Sequence, residues 1–113
     1  MPRLSTHVLD TSRGKPAAGM QVRFYVFRGE ARELLTASET NSDGRLLVCE
    51  STAAGTYELV FAAGAYFRAC GEALTDPPFL DDVVVRFGIS ETAGNYHVPL
   101  LVSPYGYSTY RGS

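Results

Sequence analysis

The sequence has no long apolar run and no block of like charge. Its 113 residues include no uncharged apolar stretch near the about 18 residues that a membrane helix needs, and the first residues lack the apolar segment of a secretory signal. Ten basic and twelve acidic residues are scattered along the chain and give a formal net charge of −2, which argues against a surface that follows nucleic-acid phosphates. We therefore expect a protein of the bacterial cytoplasm, not of the peroxisome or periplasm, that binds neither membrane nor nucleic acid.

Side chains that commonly bind metals are scarce. The chain has two cysteines, Cys49 and Cys70, and two histidines, His7 and His97. The cysteines could form a disulfide in an oxidising compartment, but a domain of this size does not need one, and we expect two free, partly buried thiols. A zinc site built from these four residues would have no two ligands at short spacing, so we expect neither a metal nor another cofactor.

The remaining composition is typical of one folded domain. Hydrophobic residues make up 45% of the chain and charged residues 19%, which excludes wholesale disorder. The length is enough for one hydrophobic core and too short for two. Residues 1–113 are therefore expected to form a single domain.

Glycines and prolines separate short segments rich in Val, Phe, Tyr and Thr, which is the pattern of an all-β antiparallel sandwich. The predicted strands are Arg3–Leu9, Met20–Arg28, Leu34–Thr40, Leu46–Glu50, Tyr57–Ala62, Phe79–Ile89, Asn95–Val102 and Tyr107–Arg111. Residues 10–19 are expected to form a loop, 41–44 a tight turn, and the strands before and after Gly94 a hairpin. One helix is predicted over Ala63–Cys70, ended by Gly71.

Both histidines lie on the less aliphatic face of their predicted strands. Side chains alternate along a strand, so Leu4, Thr6 and Val8 share one face and His7 lies on the other; Tyr96, Val98, Leu100 and Val102 likewise lie opposite His97. Pro99 cannot donate to a ladder, so its strand should have a solvent-facing or interface-facing edge there. If the first and last strands are close, the two imidazoles and Arg45 could meet on one surface. The alternative is two isolated surface histidines.

These residue types suit hydrolysis by an activated water. Imidazole moves protons near neutral pH, and a guanidinium can stabilise a carbonyl oxygen that gains negative charge. A Ser-His-acid triad is a weaker hypothesis, because no serine lies in a Gly-x-Ser-x-Gly elbow and no acidic residue lies beside either histidine. Tyr105, Tyr107 and Tyr110 could stack a flat ligand or form part of a subunit interface.

Three segments carry a resemblance that covers essentially the whole chain. They are Leu4–Asp10 (LSTHVLD), Thr40–Arg45 (TNSDGR) and the closing stretch from Tyr96 to Ser113, which ends in Tyr-Arg-Gly-Ser. The sequence is similar to the 5-hydroxyisourate hydrolases, the transthyretin-related enzymes of urate breakdown. The closing tetrapeptide is the most specific element, because the carrier transthyretin lacks it. A departure occurs at Asn95, where many family members have a further histidine.

The resemblance implies a sandwich of two four-stranded sheets with one short helix, assembled as a homotetramer whose sites lie in a central channel. It also implies a set of catalytic and substrate-binding residues: His7, Arg45, His97, Tyr110, Arg111, Gly112 and Ser113. Of these, His7, Arg45, His97 and Ser113 are the implied catalytic group. Tyr110 and Ser113 would orient one histidine and the substrate edge.

The implied reaction is ring opening of 5-hydroxyisourate by water at a lactam carbonyl. One histidine would relay the proton of the water while Arg45 stabilises the oxyanion. A second hypothesis is a transthyretin-like carrier that holds an aromatic molecule without turning it over, although buried ionisable groups cost desolvation in such a pocket. A third is a structural sandwich without a small-molecule site.

Overall fold

The computed structural model describes residues 2–90 and 94–112. The chain forms nine strands and one helix over these residues: β1 Leu4–Asp10, β2 Lys15–Pro16, β3 Gln21–Arg28, β4 Ala31–Glu39, β5 Arg45–Cys49, β6 Gly55–Ala62, α1 Ala63–Ala69, β7 Asp82–Ile89, β8 Tyr96–Ser103 and β9 Gly106–Thr109. No helix within those ranges is both long and apolar enough to cross a membrane.

The strands form two sheets, as the all-β prediction required. One sheet has the order β2-β1-β8-β9, with β5 also paired to β1, and the other has the order β4-β3-β6-β7. The condition for a shared histidine surface is met, because β1 and the His97 strand β8 pair in parallel over the whole length of β1. β1 therefore lies between β8 on one side and β5 and β2 on the other.

The core lies between the two sheets and follows the predicted alternation. Leu4, Val8 and Leu100 of the five-stranded sheet are fully buried, and so are Leu59 and Phe61 of the four-stranded sheet. The intervening residues of β1 are only partly buried. This alternation places one face of each strand in the core and leaves the other available for a site.

The helix closes one end of the sandwich. It spans Ala63–Ala69, one residue short of the predicted Ala63–Cys70, and Gly71, whose φ of +88° suits glycine, follows the C-cap Cys70. Phe67 is fully buried, and the Tyr66 hydroxyl donates to Asp10 Oδ2 at 2.9 Å. Both cysteines are free and partly buried, as expected.

Five sequence expectations are corrected by the structure. β4 begins at Ala31 and not at Leu34, because residues 31–33 already pair with β3. Residues 10–19 are not only a loop, because Lys15 and Pro16 pair with β1 and give this sheet a fifth strand. β7 begins at Asp82 and not at Phe79. The carbonyl of the preceding residue, Asp81, accepts the Gly64 N–H at 2.8 Å, so the chain just before β7 is hydrogen-bonded to the start of α1.

The other two corrections concern the C-terminal third. β7 and β8 do not form a hairpin, because β7 pairs with β6 in one sheet and β8 pairs with β1 in the other. The turn expected between these two strands includes residues 91–93, which lie outside the described residues. The last strand ends at Thr109 and not at Arg111, because Gly112 bridges back to His97 instead of continuing the ladder.

Candidate active site

Three of the predicted site residues, His7, Arg45 and His97, come together where β5, β1 and β8 run side by side. In the β1–β5 ladder His7 is directly opposite Arg45, and in the β1–β8 ladder Ser5 is directly opposite His97. Directly opposed residues project from the same face of a sheet. His7, Arg45 and His97 therefore share the face that is turned away from the core.

The turn before β5 fixes the place of Arg45. Asn41 Oδ1 accepts the backbone N–H groups of Asp43 at 2.9 Å and Arg45 at 3.0 Å, which is an Asx-type turn. Gly44 has a φ of +72°, and a Cβ there would lie 2.5 Å from the Val8 carbonyl oxygen. Only glycine lets the turn approach β1 so closely, and Arg45 follows it directly into the ladder.

His97 is the most constrained of the three side chains. Its Nδ1 is 2.9 Å from Ser5 Oγ, and its carbonyl accepts the Gly112 N–H at 2.7 Å. Burial lowers the pKa of His97 below its ordinary value of 6.5, the charges of Arg45 and His7 lower it further, and a hydrogen bond to the Ser5 backbone opposes them. The imidazole is thus kept neutral at a pH where an ordinary histidine would begin to protonate.

An open depression of about 430 Å³ lies in front of Arg45 and His97, and His7 is not among its lining residues. Its lining consists of Arg3, Ser5, Thr6, Arg45, Leu46, Leu47, Asn95, Tyr96 and His97. These residues provide two guanidinium groups, an imidazole and hydroxyl and amide groups, and none of them carries a carboxylate. Such a lining suits a planar molecule with carbonyl oxygens that gain negative charge during reaction.

The C-terminal tail meets the site only in part. Gly112 packs against the His97 ring, whereas the Arg111 guanidinium lies 4.0 Å from the centre of the Tyr96 ring. Tyr110 and Arg111 line a second depression of about 260 Å³, beside β7. Ser113 lies outside the described residues.

The other two tyrosines of the predicted stripe are exposed and do not line the depression in front of His97. Tyr105 is 65% exposed, with its ring 6.0 Å from that of Phe79, and Tyr107 is 47% exposed. Pro99 faces the tail at a point where the ladder between β8 and β9 has ended at Leu100. Within residues 2–90 and 94–112, no group of three His, Cys, Asp or Glu is placed to hold a metal ion.

Seven of the nine lining residues were missing from the predicted set, among them Arg3, Ser5 and Asn95. Ser5 and Arg3 share the strand parity of His7, which is a signal present in the sequence, but serine and arginine are ordinary on a polar strand face. The sequence marks Asn95 only as a departure from the family pattern. In the structure its Oδ1 accepts the Arg3 N–H at 3.2 Å. Its carbonyl accepts from Arg111 at 3.4 Å, so Asn95 joins the start of β1 to the tail.

The fold and this face define a transthyretin-like sandwich that carries an ionisable site on the outer face of one sheet. The sequence pattern of the HIUase/Transthyretin family matches residues 4–112. The chain belongs to that family.

Relatives and solved structures agree with this assignment. The chain is 56% identical to the 5-hydroxyisourate hydrolase 2 of Rhizobium meliloti, over 98% of this chain and 96% of the relative. The Klebsiella pneumoniae 5-hydroxyisourate hydrolase structure is 36% identical and superimposes with a TM-score of 0.84, with both chains fully covered. Sea bream transthyretin in complex with thyroxine is 24% identical with a TM-score of 0.86, covering 96% of this chain and 93% of that one, and shows the fold alone.

Proposed function

We propose that this chain hydrolyses 5-hydroxyisourate in purine degradation. The proposal is supported by full-length relatives of that name, such as the Rhizobium meliloti protein at 56% identity. The observation that carries it in the structure is the convergence of His97 and Arg45 at one depression, beside His7. Water would add to a lactam carbonyl, the ring C–N bond would break, and the departing nitrogen would take up a proton. The product is 2-oxo-4-hydroxy-4-carboxy-5-ureidoimidazoline.

In the proposed mechanism His97 is the general base. It lines the depression, and its lowered pKa supports a neutral imidazole that can accept a proton from water. His97 then returns that proton to the leaving nitrogen, so the side chain ends the cycle neutral. Because His97 accepts the proton from water in one step and donates it to the leaving nitrogen in a later step, one imidazole is enough for both transfers.

Arg45 has the electrostatic role in this mechanism. Its guanidinium is permanently charged and presents planar donors to a carbonyl oxygen. Addition of water places negative charge on that oxygen, and Arg45 is the lining cation directly opposite His7 on the neighbouring strand. His7 lies beside the depression and orients the substrate, and the family resemblance implies that Tyr110 and Ser113 orient the other histidine and the substrate edge.

We also propose that the active form is a homotetramer with its sites between subunits. The outer face of the five-stranded sheet carries apolar groups that are not fully buried, including the exposed Leu47 and the half-buried Leu9 and Leu101, and a partner subunit would cover them. Light scattering on the purified protein should give the mass of four chains, and a monomer that is fully active would contradict the proposal. The expected cytoplasmic location stays a prediction, which fractionation of the source cells tests.

The deciding experiment follows the ultraviolet absorbance of freshly generated 5-hydroxyisourate with and without the protein. The hydrolase predicts a faster, saturable decay in proportion to protein concentration. A decay rate that the protein leaves unchanged would refute the activity. If the ligand then binds without turnover, the carrier hypothesis takes its place.

A further inference from the structure

The Ser5 side chain has no place in the mechanism above, although it makes the only side-chain hydrogen bond to His97 among the described residues. We propose that Ser5 is a positioning residue that holds the His97 imidazole in the tautomer with its proton on Nδ1. Nε2 is then the unprotonated nitrogen that takes the proton from water. This inference rests on the proposed function and assigns the reacting atom within it.

The backbone gives the Ser5–His97 pair a fixed geometry. Ser5 and His97 are directly opposite each other in the parallel ladder between β1 and β8. The adjacent Thr6 is buried, and its hydroxyl donates to the Val98 carbonyl at 2.6 Å, across the same two strands. A slip of register would break this buried hydrogen bond and would move Ser5 away from His97.

The imidazole is held at two edges. Ser5 Oγ lies 2.9 Å from Nδ1. At another edge the Gly112 backbone is so close that a Cβ on residue 112 would lie 2.7 Å from Cδ2. Ring rotation about χ2 would move Nδ1 away from Ser5 and would bring another ring atom against Gly112. The ring therefore presents one orientation to the depression.

The surroundings of Nδ1 favour a proton on that atom. A serine hydroxyl can accept as well as donate. The Ser5 backbone raises the pKa of His97, against burial and the charges of Arg45 and His7, and so also favours a proton on the ring. With Ser5 Oγ as the acceptor, 2.9 Å from Nδ1, the proton of neutral imidazole resides on Nδ1. The hydrogen bond at one ring nitrogen thereby sets the state of the other.

The test is the change Ser5→Ala, with Ser5→Thr as the conservative variant that keeps a hydroxyl. Nitrogen-15 NMR of labelled protein reports the tautomer of His97 without turnover, with the resonances assigned by their loss in His97→Asn. Ser38→Ala is the matched control, because Ser38 is an exposed serine of β4 in the other sheet. Circular dichroism and melting temperature show whether each variant folds.

We expect Nδ1 protonated in the wild type and a mixture of tautomers in Ser5→Ala. The kcat of Ser5→Ala should fall by about 10-fold or more, with KM changed by less than about 2-fold, since misplacing a reacting group by about 1 Å can cost up to about 100-fold. Ser5→Thr should recover most of the kcat, and Ser38→Ala should behave as the wild type.

Two results would overturn the inference. One is a wild type in which neutral His97 carries its proton on Nε2. The other is a Ser5→Ala variant with unchanged NMR signals and unchanged kcat. Failure of the proposed function would be a different result, namely a wild type that does not accelerate 5-hydroxyisourate decay, and the NMR measurement would still report on the Ser5–His97 pair.

Discussion

Gly112 donates its backbone N–H to the carbonyl oxygen of His97 over 2.7 Å, and the two residues form an antiparallel bridge. The tail is thus attached to the backbone of the residue whose side chain lines the depression. A Cβ on residue 112 would lie 2.7 Å from His97 Cδ2 and 3.3 Å from Pro99 Cγ. Gly112 is therefore required by close approach, not by an unusual backbone angle.

The change Gly112→Ala should displace either the tail or the His97 ring. We expect kcat to fall by about 10-fold or more, because displacements of about 1 Å at a reacting group cost up to 100-fold. The melting temperature should change little, since residue 112 belongs to a chain end outside the core. Gly106→Ala is the matched control: its Cβ would meet only Ser103 Oγ, at 3.9 Å. Equal activities of the two variants would contradict the prediction.

The change His97→Asn tests the general base directly. Asparagine keeps a polar group opposite Ser5 but cannot accept a proton near neutral pH, so the chemical step should slow by about 100-fold or more. Single-turnover kinetics measure that step separately from product release. An unchanged rate would exclude His97 as the base, and the same measurement on His7→Asn would show whether His7 has that role.

The fold could be predicted from sequence wherever one face of a strand is buried. β1, β3 and β8 alternate between apolar and other residues, and the structure buries the faces that this pattern indicates. Pairing was harder to predict. Nothing local distinguishes a hairpin from a crossover between sheets after β7, and the exposed pair Lys15–Pro16 becomes a strand only through its contact with Leu9 and Asp10.

The residues of the site, like the strands, could be predicted from sequence where their signal is local. Strand parity and the Asp-Gly turn indicated His7, His97 and Arg45, because each feature is local. The role of Ser5 depends on the parallel register that sets it opposite His97, across 92 positions of sequence. The stacking of Arg111 on Tyr96 depends on the path of the tail and likewise has no local signal.

The pH dependence of kcat/KM should follow the protonation of His97. Neutral imidazole is the active form, so activity should rise with pH through the His97 pKa and reach its plateau. Because burial and the charges of Arg45 and His7 lower that pKa, the midpoint should lie below 6.5. Arg45→Gln removes one lowering charge, and the midpoint of the remaining activity should move to higher pH.

Proton NMR titration of the His97 ring gives the same midpoint without turnover. Arg28→Gln is the matched control, because Arg28 is an exposed arginine of β3, in the other sheet, paired with Glu33. We expect its midpoint to equal that of the wild type. A midpoint above 6.5 in the wild type, or one unaffected by Arg45→Gln, would contradict the electrostatic account of His97.

The outer face of the four-stranded sheet allows a stability prediction that is independent of the site. The Glu58 side chain is only 6% exposed and accepts from Arg32 at 2.9 Å and from Arg86 at 3.0 Å. The two guanidinium groups also lie over aromatic rings, Arg32 over Tyr25 and Arg86 over Phe27. Glu58 thus joins three strands, since Arg32 reaches it from β4 and Arg86 from β7.

The change Glu58→Gln should lower the free energy of unfolding by about 1–2 kcal/mol, because it removes a nearly buried charge from two charge-assisted hydrogen bonds. Both arginines stay partly exposed, so the loss should be smaller than for a fully buried pair. Glu33→Gln breaks an exposed pair with Arg28 and should cost less than about 0.5 kcal/mol. Urea unfolding at one fixed protein concentration measures both, since association would make stability concentration-dependent. Equal losses of unfolding free energy in the two variants would show that burial does not strengthen the Glu58 cluster. A lower kcat in folded Glu58→Gln would contradict the independence of this face from the site.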